Sequence, residues 1–519
     1  MLTNSRFCLL VLALSPMAHG QTSIWTGQYN QGRTSANQTE TILTTSNVNT
    51  SQFGLLFTRA VDQYIYAQPL YIPQVTIGGA VHNVVYVVTI NNSVYAFDAD
   101  SPSLSAPLWQ VNLGPAATLV SQNNLPVCGI LSTPVIDTST NIMYVVALTE
   151  VNSKMSHSLH ALDITTGAEM LGGPVTIKAK VKGTGSDSKN GYISFSSALA
   201  LQRPALLLQD GTVYMGFARQ KNEAVVPFHG WELGYNATTL KQVFALNTTA
   251  DGDEGGIWMS GIGPVADAKG FTFITGNGDV GNGDIGESFV RYNNSHKAQW
   301  LYTAPDWSTL NTYDYDLGAG GPLLIPGTQM LLGAGKTGTI YLLSILASGA
   351  LQLAQTVQAT PGCPPGGPDS SCAQLHSPAF WNLTGSNPAS PSLLYYWGSN
   401  DMLKAFSFSN GQLSTSPVYT NSQIAGSPGG AALALSSNGT TAGTGILWAA
   451  MSSGNASTAN TPGVLHAFNA SNVATELWNS TMNSSDQYGN FAKFVQPVVT
   501  NGKVYVATFS NQLAVYGLK

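Results

Sequence analysis

The chain has 519 residues, of which 43% are hydrophobic and only 9% are charged, and its formal net charge at neutral pH is −6. This acidic balance argues against a nucleic-acid partner, which requires a basic face. The chain contains no uninterrupted apolar run long enough to span a bilayer. With 54 glycines and no prominent helical period, the composition is typical of an all-β protein.

The N-terminus has the pattern of a signal peptide over residues 1–20. Arg6 supplies a short basic region, residues 7–14 are apolar, and the small residues Ala18 and Gly20 precede Gln21 as a cleavage site. We therefore expect the mature chain to be exported, into the extracellular medium or a bacterial periplasm. It is predicted to consist of an N-terminal extension over 21–52 and a single β-propeller domain over 53–519.

The stretch 84–113 predicts three short strands. Residues alternate between valine and tyrosine around Tyr86, Asn91 and Asn92 form a tight turn, and a second β-rich run leads to a third that carries Trp109. A unit this small cannot bury both faces of its own sheet. It therefore needs copies of itself as neighbours.

Seven further copies of this unit follow along the chain. Aligned on an Ala-aromatic position, they are spaced by about 47 to 73 residues, which is the range for a four-stranded blade with its loops. The eight aligned positions are 96, 161, 234, 290, 342, 405, 467 and 514. The repeat predicts an eight-bladed β-propeller, with an open β-solenoid as the alternative.

The eighth copy ends at Lys519, before a closing strand. The run at 53–58 resembles that missing strand. We expect it to pair with the last blade, because this closes the ring and removes an exposed sheet edge.

Four cysteines indicate one disulfide. Cys8 is removed when the predicted signal peptide is cleaved. Cys363 and Cys372 flank a Pro/Gly-rich loop, and in an oxidising compartment a disulfide between them would close that loop. Cys128 is left over and is expected to be a buried apolar thiol rather than a nucleophile. No Cys-x-x-Cys or Cys-x-x-Cys-His motif indicates a zinc ribbon or a covalent haem.

Twelve Asn-x-Ser/Thr sequons occur in the chain, Asn37 and Asn479 among them. In a eukaryotic secretory route they would make the protein a glycoprotein. A chain rich in Asn, Ser and Thr also produces such triplets by chance, so the number of sequons does not identify the organism.

Polar residues concentrate between 255 and 336, across blades four and five. In a propeller, the loops of neighbouring blades meet near the central axis, so these residues are expected to surround one pocket. Oxygen ligands from Asn277, Asp314 and Asp316 suit a hard cation such as calcium. Trp258 can stack under a planar ligand, and Lys336 can pair with an anionic or quinone oxygen. Taken singly, the same residues also fit tight turns, a solvated loop and strand packing.

The repeats and this block resemble the quinoprotein alcohol dehydrogenases, eight-bladed propellers that bind pyrroloquinoline quinone (PQQ) and a metal. The repeats resemble that family over nearly the whole mature chain, but propellers that are not enzymes share them. The block at 255–336 is more specific. In the family a tryptophan lies under the quinone, which Trp258 matches with one extra residue before the next landmark. A Thr-Gly-Asn turn there supplies an amide ligand to the metal, which Asn277 matches.

The resemblance also implies the remaining roles. A Trp-Asp-x-Asp type motif gives the family its catalytic base and, in lanthanide-dependent members, a further metal ligand. Asp314 and Asp316 match these two positions, with Tyr313 in place of the tryptophan. Lys336 resembles the basic residue that contacts the quinone carbonyl oxygens. The implied cofactor is PQQ with calcium or a lanthanide.

Two family features lack a clear match. The adjacent cysteine pair that usually lies over the quinone is absent. The acidic metal ligand expected on blade three has Glu223 as its nearest candidate, out of register.

The resemblance implies a secreted dehydrogenase of an alcohol or sugar, in which the metal polarises a quinone carbonyl while Asp314 accepts the hydroxyl proton. Without a haem motif, electrons would leave to an external acceptor. The alternative is a non-catalytic extracellular propeller that binds a protein or glycan through its loops, or a structural wall or spore protein.

Overall fold

The computed structural model describes residues 21–118, 125–220, 225–383, 391–426, 429–456 and 459–519. The predicted signal peptide and Glu223 lie outside these residues. The described chain consists mainly of β-strands and forms eight sheets in succession, which are antiparallel except for the parallel strand Ala36–Asn37 added to blade 7. The predicted eight-bladed propeller is therefore confirmed.

Each of the first four blades is an antiparallel sheet that follows chain order from the axis outward. The inner edge of blade 3 consists of two short strands. The strands are Leu70–Ile77, Ala80–Val88, Ser93–Asp98 and Trp109–Asn112 in blade 1; Val135–Asp137, Ile142–Val151, Lys154–Asp163 and Val175–Thr176 in blade 2; Ala200–Leu201, Leu207–Gln209, Thr212–Arg219, Trp231–Asn236 and Gln242–Asn247 in blade 3; and Val265–Asp267, Gly270–Ile274, Ser288–Asn293 and Gln299–Thr303 in blade 4.

The last four blades repeat this order, and two of them recruit a strand from the N-terminal region. The strands are Leu323–Leu324, Met330–Ala334, Thr339–Ile345 and Leu351–Gln358 in blade 5; Ala379–Trp381, Ser392–Trp397, Met402–Ser409, Gln412–Leu413 and Tyr419–Ile424 in blade 6; Ala36–Asn37, Ala432–Ser436, Ile446–Ser452, Gly463–Asn469 and Glu476–Asn479 in blade 7; and Val498–Thr500, Lys503–Ala507, Gln512–Leu518 and Phe53–Ala60 in blade 8.

The loops contain short hairpins, one α-helix and several 3₁₀ turns. Two small hairpins pair Lys180–Lys182 with Tyr192–Ser194 and Val280–Gly281 with Asp284–Ile285. The α-helix α1 spans Trp307–Tyr313 between blades 4 and 5. The 3₁₀ turns are Met259–Gly261, Leu317–Ala319, Asp369–Ser371 and Ser484–Asp486.

The eight aligned positions all lie on the third strand of their blades. In several blades the residue there is small and leaves room for aromatic rings on both neighbouring strands. In blade 1, Ala96 lies opposite Tyr86 on one side and Trp109 on the other. In blade 7, Ala467 lies between Trp448 and Trp478 in the same way. Cross-strand packing of this kind stabilises a sheet and explains the sequence repeat.

The N-terminal strand Phe53–Ala60 closes the ring, as predicted, by pairing with Gln512–Leu518 of blade 8. Phe53 is fully buried, and its ring packs 5.0 Å from the Trp478 ring of blade 7. Because this strand covers the outer edge of the last blade, the blade has no free edge on that side.

A second N-terminal segment, residues 24–37, runs inside the ring and is called here the N-terminal belt. It contacts the first strand of every blade, and first strands of adjoining blades contact one another around the axis. The contacts join Ile24 to Tyr71, Trp25 to Ile136, Gln31 to Leu208 and Ala266, Gly32 to Leu324, Thr34 to Phe380, Ser35 to Leu435, and Tyr29 to Val499.

Arg33 anchors the belt in the interior. It is 1% exposed, and it donates to the carbonyl oxygens of Pro264 at 2.9 Å, Gly27 at 2.7 Å and Leu206 at 3.1 Å. Burial lowers the pKa of Arg33 to about 9. Its role is therefore to tie the belt to blades 3 and 4 through backbone carbonyls.

A search of the described residues for a helix long and apolar enough to cross a lipid bilayer finds none.

Candidate active site

The polar residues singled out in the sequence lie on loops at one end of blades 4 and 5. Asn277 follows the second strand of blade 4, and Lys336 follows the second strand of blade 5. Asp314 ends helix α1 in the left-handed conformation, with φ of 58°, and its backbone N–H closes the helix by donating to Leu310. This cap turns the chain so that both Asp314 and Asp316 reach Lys336.

Lys336 is the centre of a cluster of carboxylates. Its Nζ lies 2.6 Å from Asp314 Oδ1, 2.8 Å from Asp316 Oδ2 and 3.3 Å from Asp369 Oδ2. A fourth carboxyl, that of Glu287, acts electrostatically on Asp316 and Lys336. These five residues are called here the acid pocket.

Asn277 joins the acid pocket through two hydrogen bonds. Its backbone N–H donates to Asp316 Oδ1 at 2.8 Å, and its Nδ2 donates to Asp314 Oδ1 at 2.8 Å. Its Oδ1 is buried and has no hydrogen-bond partner among the described residues. A buried amide oxygen without a partner is costly, so this atom is available to a ligand.

Trp258 borders the same pocket across Gly276. A Cβ on Gly276 would overlap Asp316 Oδ1 and lie 3.0 Å from Trp258 Cδ1. Only glycine therefore fits between the indole and the carboxylate. Trp258 itself is 8% exposed. The structure thus brings together Trp258, Asn277, Asp314, Asp316 and Lys336.

The two aspartates differ in their surroundings. The Asp314 side chain is 41% exposed, whereas that of Asp316 is 4% exposed. Burial alone would raise the pKa of Asp316, but the Lys336 ammonium and the Asn277 N–H outweigh it and lower that pKa. Asp316 is thus a fixed buried anion, and Asp314 is the carboxylate that a solute can reach.

Glu287 is a buried acid that the sequence analysis overlooked. Its side chain is fully buried; Oε2 accepts the backbone N–H of Leu317 at 2.7 Å, and Oε1 has no partner among the described residues. Burial, followed by the negative charge of Asp316, raises the pKa of Glu287 well above its usual range. The one sequence feature that distinguishes Glu287 is its position directly before a strand. Many other residues share that feature, so it did not single Glu287 out.

Asp369 was also overlooked, although the cysteine spacing pointed to its loop. The predicted Cys363–Cys372 disulfide is present and closes that loop. Tyr315, between the two aspartates, donates its hydroxyl hydrogen bond to Gly367 at 2.8 Å within the loop. The disulfide and this bond hold Asp369 beside Lys336.

Glu254 is a third overlooked acid, on the connection from blade 3 to blade 4. Burial, followed by the charges of Asp253, Asp316 and Asp279, raises its pKa to about 7. Glu254 lies within electrostatic range of Asp316. Glu223, the acidic ligand suggested by the sequence, lies outside the described residues, so its role stays a prediction.

Next to the acid pocket, loops that lead into the first strands meet at the axis and form a cationic region. Arg203, which is 8% exposed, donates from Nε to the Trp258 carbonyl oxygen at 3.3 Å, and its guanidinium lies 5.0 Å from the Phe494 ring centre. Lys493 is 4% exposed, with Nζ 5.4 Å from the same ring. The His376 ring centre lies 5.3 Å from that of Phe494. These five residues are called here the axial cluster.

Cys128 lies at the same end of the ring, in the loop that leads into blade 2. It is buried and unpaired, and burial raises the pKa of its thiol to about 12. The thiol is therefore un-ionised at neutral pH, as expected for a buried apolar cysteine.

The acid pocket fits a hard cation in the type of its donors. It offers the free amide oxygen of Asn277 beside the carboxylates of Asp314 and Asp316. Within the described ranges, no group of three or more His, Cys, Asp or Glu side chains is arranged to hold a metal. A cation here would thus have two carboxylates and one amide as protein ligands, in competition with the Lys336 ammonium.

Comparison with solved structures identifies the architecture. The quinohemoprotein alcohol dehydrogenase of Comamonas testosteroni matches with a TM-score of 0.60 at 14% identity, over 96% of this chain and 80% of that one. That of Pseudomonas putida HK5 matches with a TM-score of 0.56, 14% identity and the same coverage. The fold is that of the quinoprotein alcohol dehydrogenases.

A europium-containing methanol dehydrogenase also matches, with a TM-score of 0.56 at 13% identity, over 96% of this chain and 98% of that one. No protein-family model matches the chain, and no curated protein matches it in sequence. The quinoprotein-type fold thus persists at an identity where sequence comparison no longer detects it. At this identity the likeness concerns the fold alone.

Proposed function

We propose that the protein is an exported dehydrogenase that depends on PQQ and a metal, oxidises an alcohol or a sugar, and passes electrons to an external acceptor. The observation that supports this most is the meeting of Trp258, Asn277, Asp314, Asp316 and Lys336 in one pocket of a quinoprotein-type propeller. These residues come from four loops in and around blades 4 and 5.

Asp314 is the proposed general base. It is the more exposed of the two aspartates, and its Oδ1 already accepts hydrogen bonds from Lys336 Nζ and Asn277 Nδ2. The same carboxylate can take the proton of a substrate hydroxyl that approaches from solvent. Lys336 and Asn277 fix its orientation before substrate arrives, so little reorganisation is needed.

Asp316 and Asn277 are the residues that would hold a calcium or lanthanide ion, through a buried carboxylate and a free amide oxygen. The quinone, when bound, supplies the two-electron chemistry, and the protein supplies binding and orientation. Trp258 offers a buried indole against which a planar ring can stack.

Reconstitution tests this proposal. Purified protein is incubated with PQQ and either calcium or lanthanum, and reduction of an artificial electron-accepting dye is followed with a panel of alcohols and sugars. We expect dye reduction that requires quinone, metal and substrate together. Absence of saturable quinone binding, measured as quenching of tryptophan fluorescence by a correctly folded protein, would refute it.

A second candidate is a non-catalytic extracellular propeller that binds a protein or glycan through its loops. It is favoured by one observation: the Lys336 ammonium already lies between three carboxylates, so the acid pocket is partly neutralised by the chain itself. Cys128 is followed by Gly129, so the vicinal cysteine pair of the family is also absent. A folded protein that fails the quinone titration would support this candidate.

A further inference from the structure

The connection from blade 2 to blade 3 contains an additional hairpin. Residues 177–199 link the last strand of blade 2 to the first strand of blade 3, and within them Lys180–Lys182 pairs with Tyr192–Ser194. This two-stranded sheet belongs to neither blade. Insertions between the repeats of a repeat protein map to its loops and often carry a binding surface. The hairpin is therefore a candidate interaction surface.

The hairpin region concentrates positive charge in a protein that is acidic as a whole. Of the 20 Lys and Arg residues in the chain, four lie between 178 and 189, whereas the formal net charge of the chain is −6. Between 170 and 209 the one acidic residue is Asp187, whose Oδ1 lies 3.0 Å from His229 Nε2. The four lysines are exposed, and they form no ion pair within the described part of the chain. They are Lys178, Lys180, Lys182 and Lys189.

Alternation along the chain places three of these lysines on one face. The apolar side chains at the intervening positions pack against the core of blades 2 and 3; they are Val175, Ile177, Ala179 and Val181. Successive side chains of an extended chain point to opposite faces, so Lys178, Lys180 and Lys182 point to solvent. Residues two apart in an extended chain are separated by about 6.6 Å, so these lysines form a row. The apolar side chains thus fix the register that exposes them.

The second strand of the hairpin adds polar groups to the same face. Tyr192 lies opposite Lys182 in the strand register and is 36% exposed, and the exposed Ser194 lies opposite Lys180. Lys180 Nζ lies 4.2 Å from the centre of the Tyr192 ring, which is a cation–π contact. The hairpin thus offers solvent two ammonium groups, a hydroxyl and a phenol ring.

We propose that this hairpin binds a linear acidic polysaccharide, with Lys178, Lys180, Lys182 and Lys189 as the cations that contact its carboxylate or sulfate groups. These four lysines and Tyr192 are called here the lysine face. A row of ammonium groups along an extended chain is complementary to a polymer that carries anionic groups at intervals, and lysine-rich segments are typical of heparin-binding patches. The lysine face lies outside the acid pocket, so the proposal does not depend on the proposed dehydrogenase activity.

Two other anionic partners fit the lysine face less well. Duplex DNA carries one negative charge per about 1.7 Å of its axis, and a rigid duplex would also approach the acidic remainder of a protein with a net charge of −6. A lipid surface favours a face with apolar side chains that enter the bilayer, whereas this hairpin presents hydroxyl groups beside its lysines. Lysine on a strand edge can also serve only to prevent edge-to-edge association. These three alternatives predict different outcomes of the experiment below.

Biolayer interferometry of the full purified chain measures the binding. Immobilised polygalacturonate and heparin are compared with neutral dextran, with duplex DNA and with phosphatidylglycerol vesicles. We expect binding to both acidic polysaccharides and none to dextran. The affinity should fall by about tenfold or more between about 0.05 M and about 0.5 M salt, because salt screens exposed charges. Equal or tighter binding to DNA or to the vesicles, or no binding to either acidic polysaccharide at low salt, would overturn the proposal.

Paired variants locate the binding surface. The double variant Lys180→Gln/Lys182→Gln removes two charges from the middle of the lysine face and should weaken polysaccharide binding by about tenfold. The matched control is Lys269→Gln/Lys297→Gln, because both of these lysines are exposed in blade 4 and form no ion pair among the residues that the structure describes. It should bind the polysaccharides as the wild type does.

Melting temperatures establish that the variants are folded, and Lys178→Gln/Lys189→Gln takes the place of the first double variant if that protein does not fold. Equal weakening by the lysine-face variant and the control would show attraction to the overall charge of the protein rather than to this hairpin. A lysine-face variant that aggregates but keeps its affinity for polygalacturonate would show that the lysines only protect a strand edge. Either result would overturn the proposal.

Discussion

The acid pocket and the axial cluster lie on either side of Trp258, but the charged side chains in them interact differently. In the acid pocket one ammonium, that of Lys336, is shared among three carboxylates at 2.6 to 3.3 Å. In the axial cluster two buried cations act on each other and on a neutral His376. Among the described contacts, opposite charges attract one another in the acid pocket, whereas like charges repel in the axial cluster.

The difference shows how burial decides which charges persist. Asp316 remains ionised because Lys336 and a backbone N–H compensate the cost of burial, so its pKa falls. Burial, followed by the positive charge of Arg203, lowers the pKa of Lys493 to about 7. The oxygen donors of the acid pocket suit a hard cation. Each experiment below changes one side of this contrast.

Removing the proposed base should have the largest effect. Asp314→Asn keeps the size of the side chain and its hydrogen bonds but cannot accept a proton, so dye reduction by the reconstituted enzyme should fall by about 10²- to 10⁴-fold. Asp369→Asn is the matched control, since Asp369 also contacts Lys336 but at 3.3 Å. It should retain most of the activity. Equal rates of dye reduction by wild type and Asp314→Asn would show that Asp314 is not the general base.

Removing the shared cation tests whether the acid pocket holds metal. Lys336→Met leaves buried carboxylates uncompensated and should lower the free energy of unfolding by about 3 kcal/mol in chelator. Calcium should then raise the melting temperature of Lys336→Met more than that of the wild type. Denaturant unfolding with and without calcium measures both effects. A calcium response that is equal in the two proteins would place the cation outside this pocket.

The carboxyl group of Glu232 provides a comparison with the acid pocket, because it is buried without a hydrogen-bond partner among the described residues. Glu232 in blade 3 is fully buried, neither of its oxygens has a partner within the described part of the chain, and burial raises its pKa well above the ordinary 4.5. Because the folded state holds this proton more tightly than the unfolded chain, its stability contribution is lost as pH rises above 4.5.

Glu232→Gln removes that titration. The variant should match wild type near pH 4 and exceed it by about 2 kcal/mol near neutral pH, measured by urea unfolding across the pH range. A constant difference at all pH values would mean that Glu232 does not change protonation on folding.

The fold could be predicted from the sequence because the third strands of the blades recur at regular intervals, and several of them share one packing pattern. A small residue such as Ala96 or Ala467 lies between aromatic residues on both neighbouring strands, so the pattern recurs at readable intervals. The closing strand was predicted at 53–58 because that run resembles the strand missing from the last blade, and it is observed at Phe53–Ala60. Asn277, Asp314 and Lys336 were predicted to meet because they follow strands of two adjacent blades.

The remaining parts left no local signal. Arg203 and Lys493 lie far apart in sequence and become neighbours only through the closed ring. Glu287 and Glu232 owe their unusual pKa values to burial, which the identity of a residue does not reveal. The N-terminal belt has no repeat of its own, because its successive residues contact different blades.

The belt has a consequence for how the molecule is made. Residues 24–37 are synthesised before any blade. In the folded protein they form the N-terminal belt, which contacts the first strand of all eight blades. The ring must therefore assemble around a segment that is already present, and strand 53–60 must wait for the last strands to be synthesised. A circular permutant that opened the chain between two blades would separate these two events, and its refolding rate would report which of them is slow.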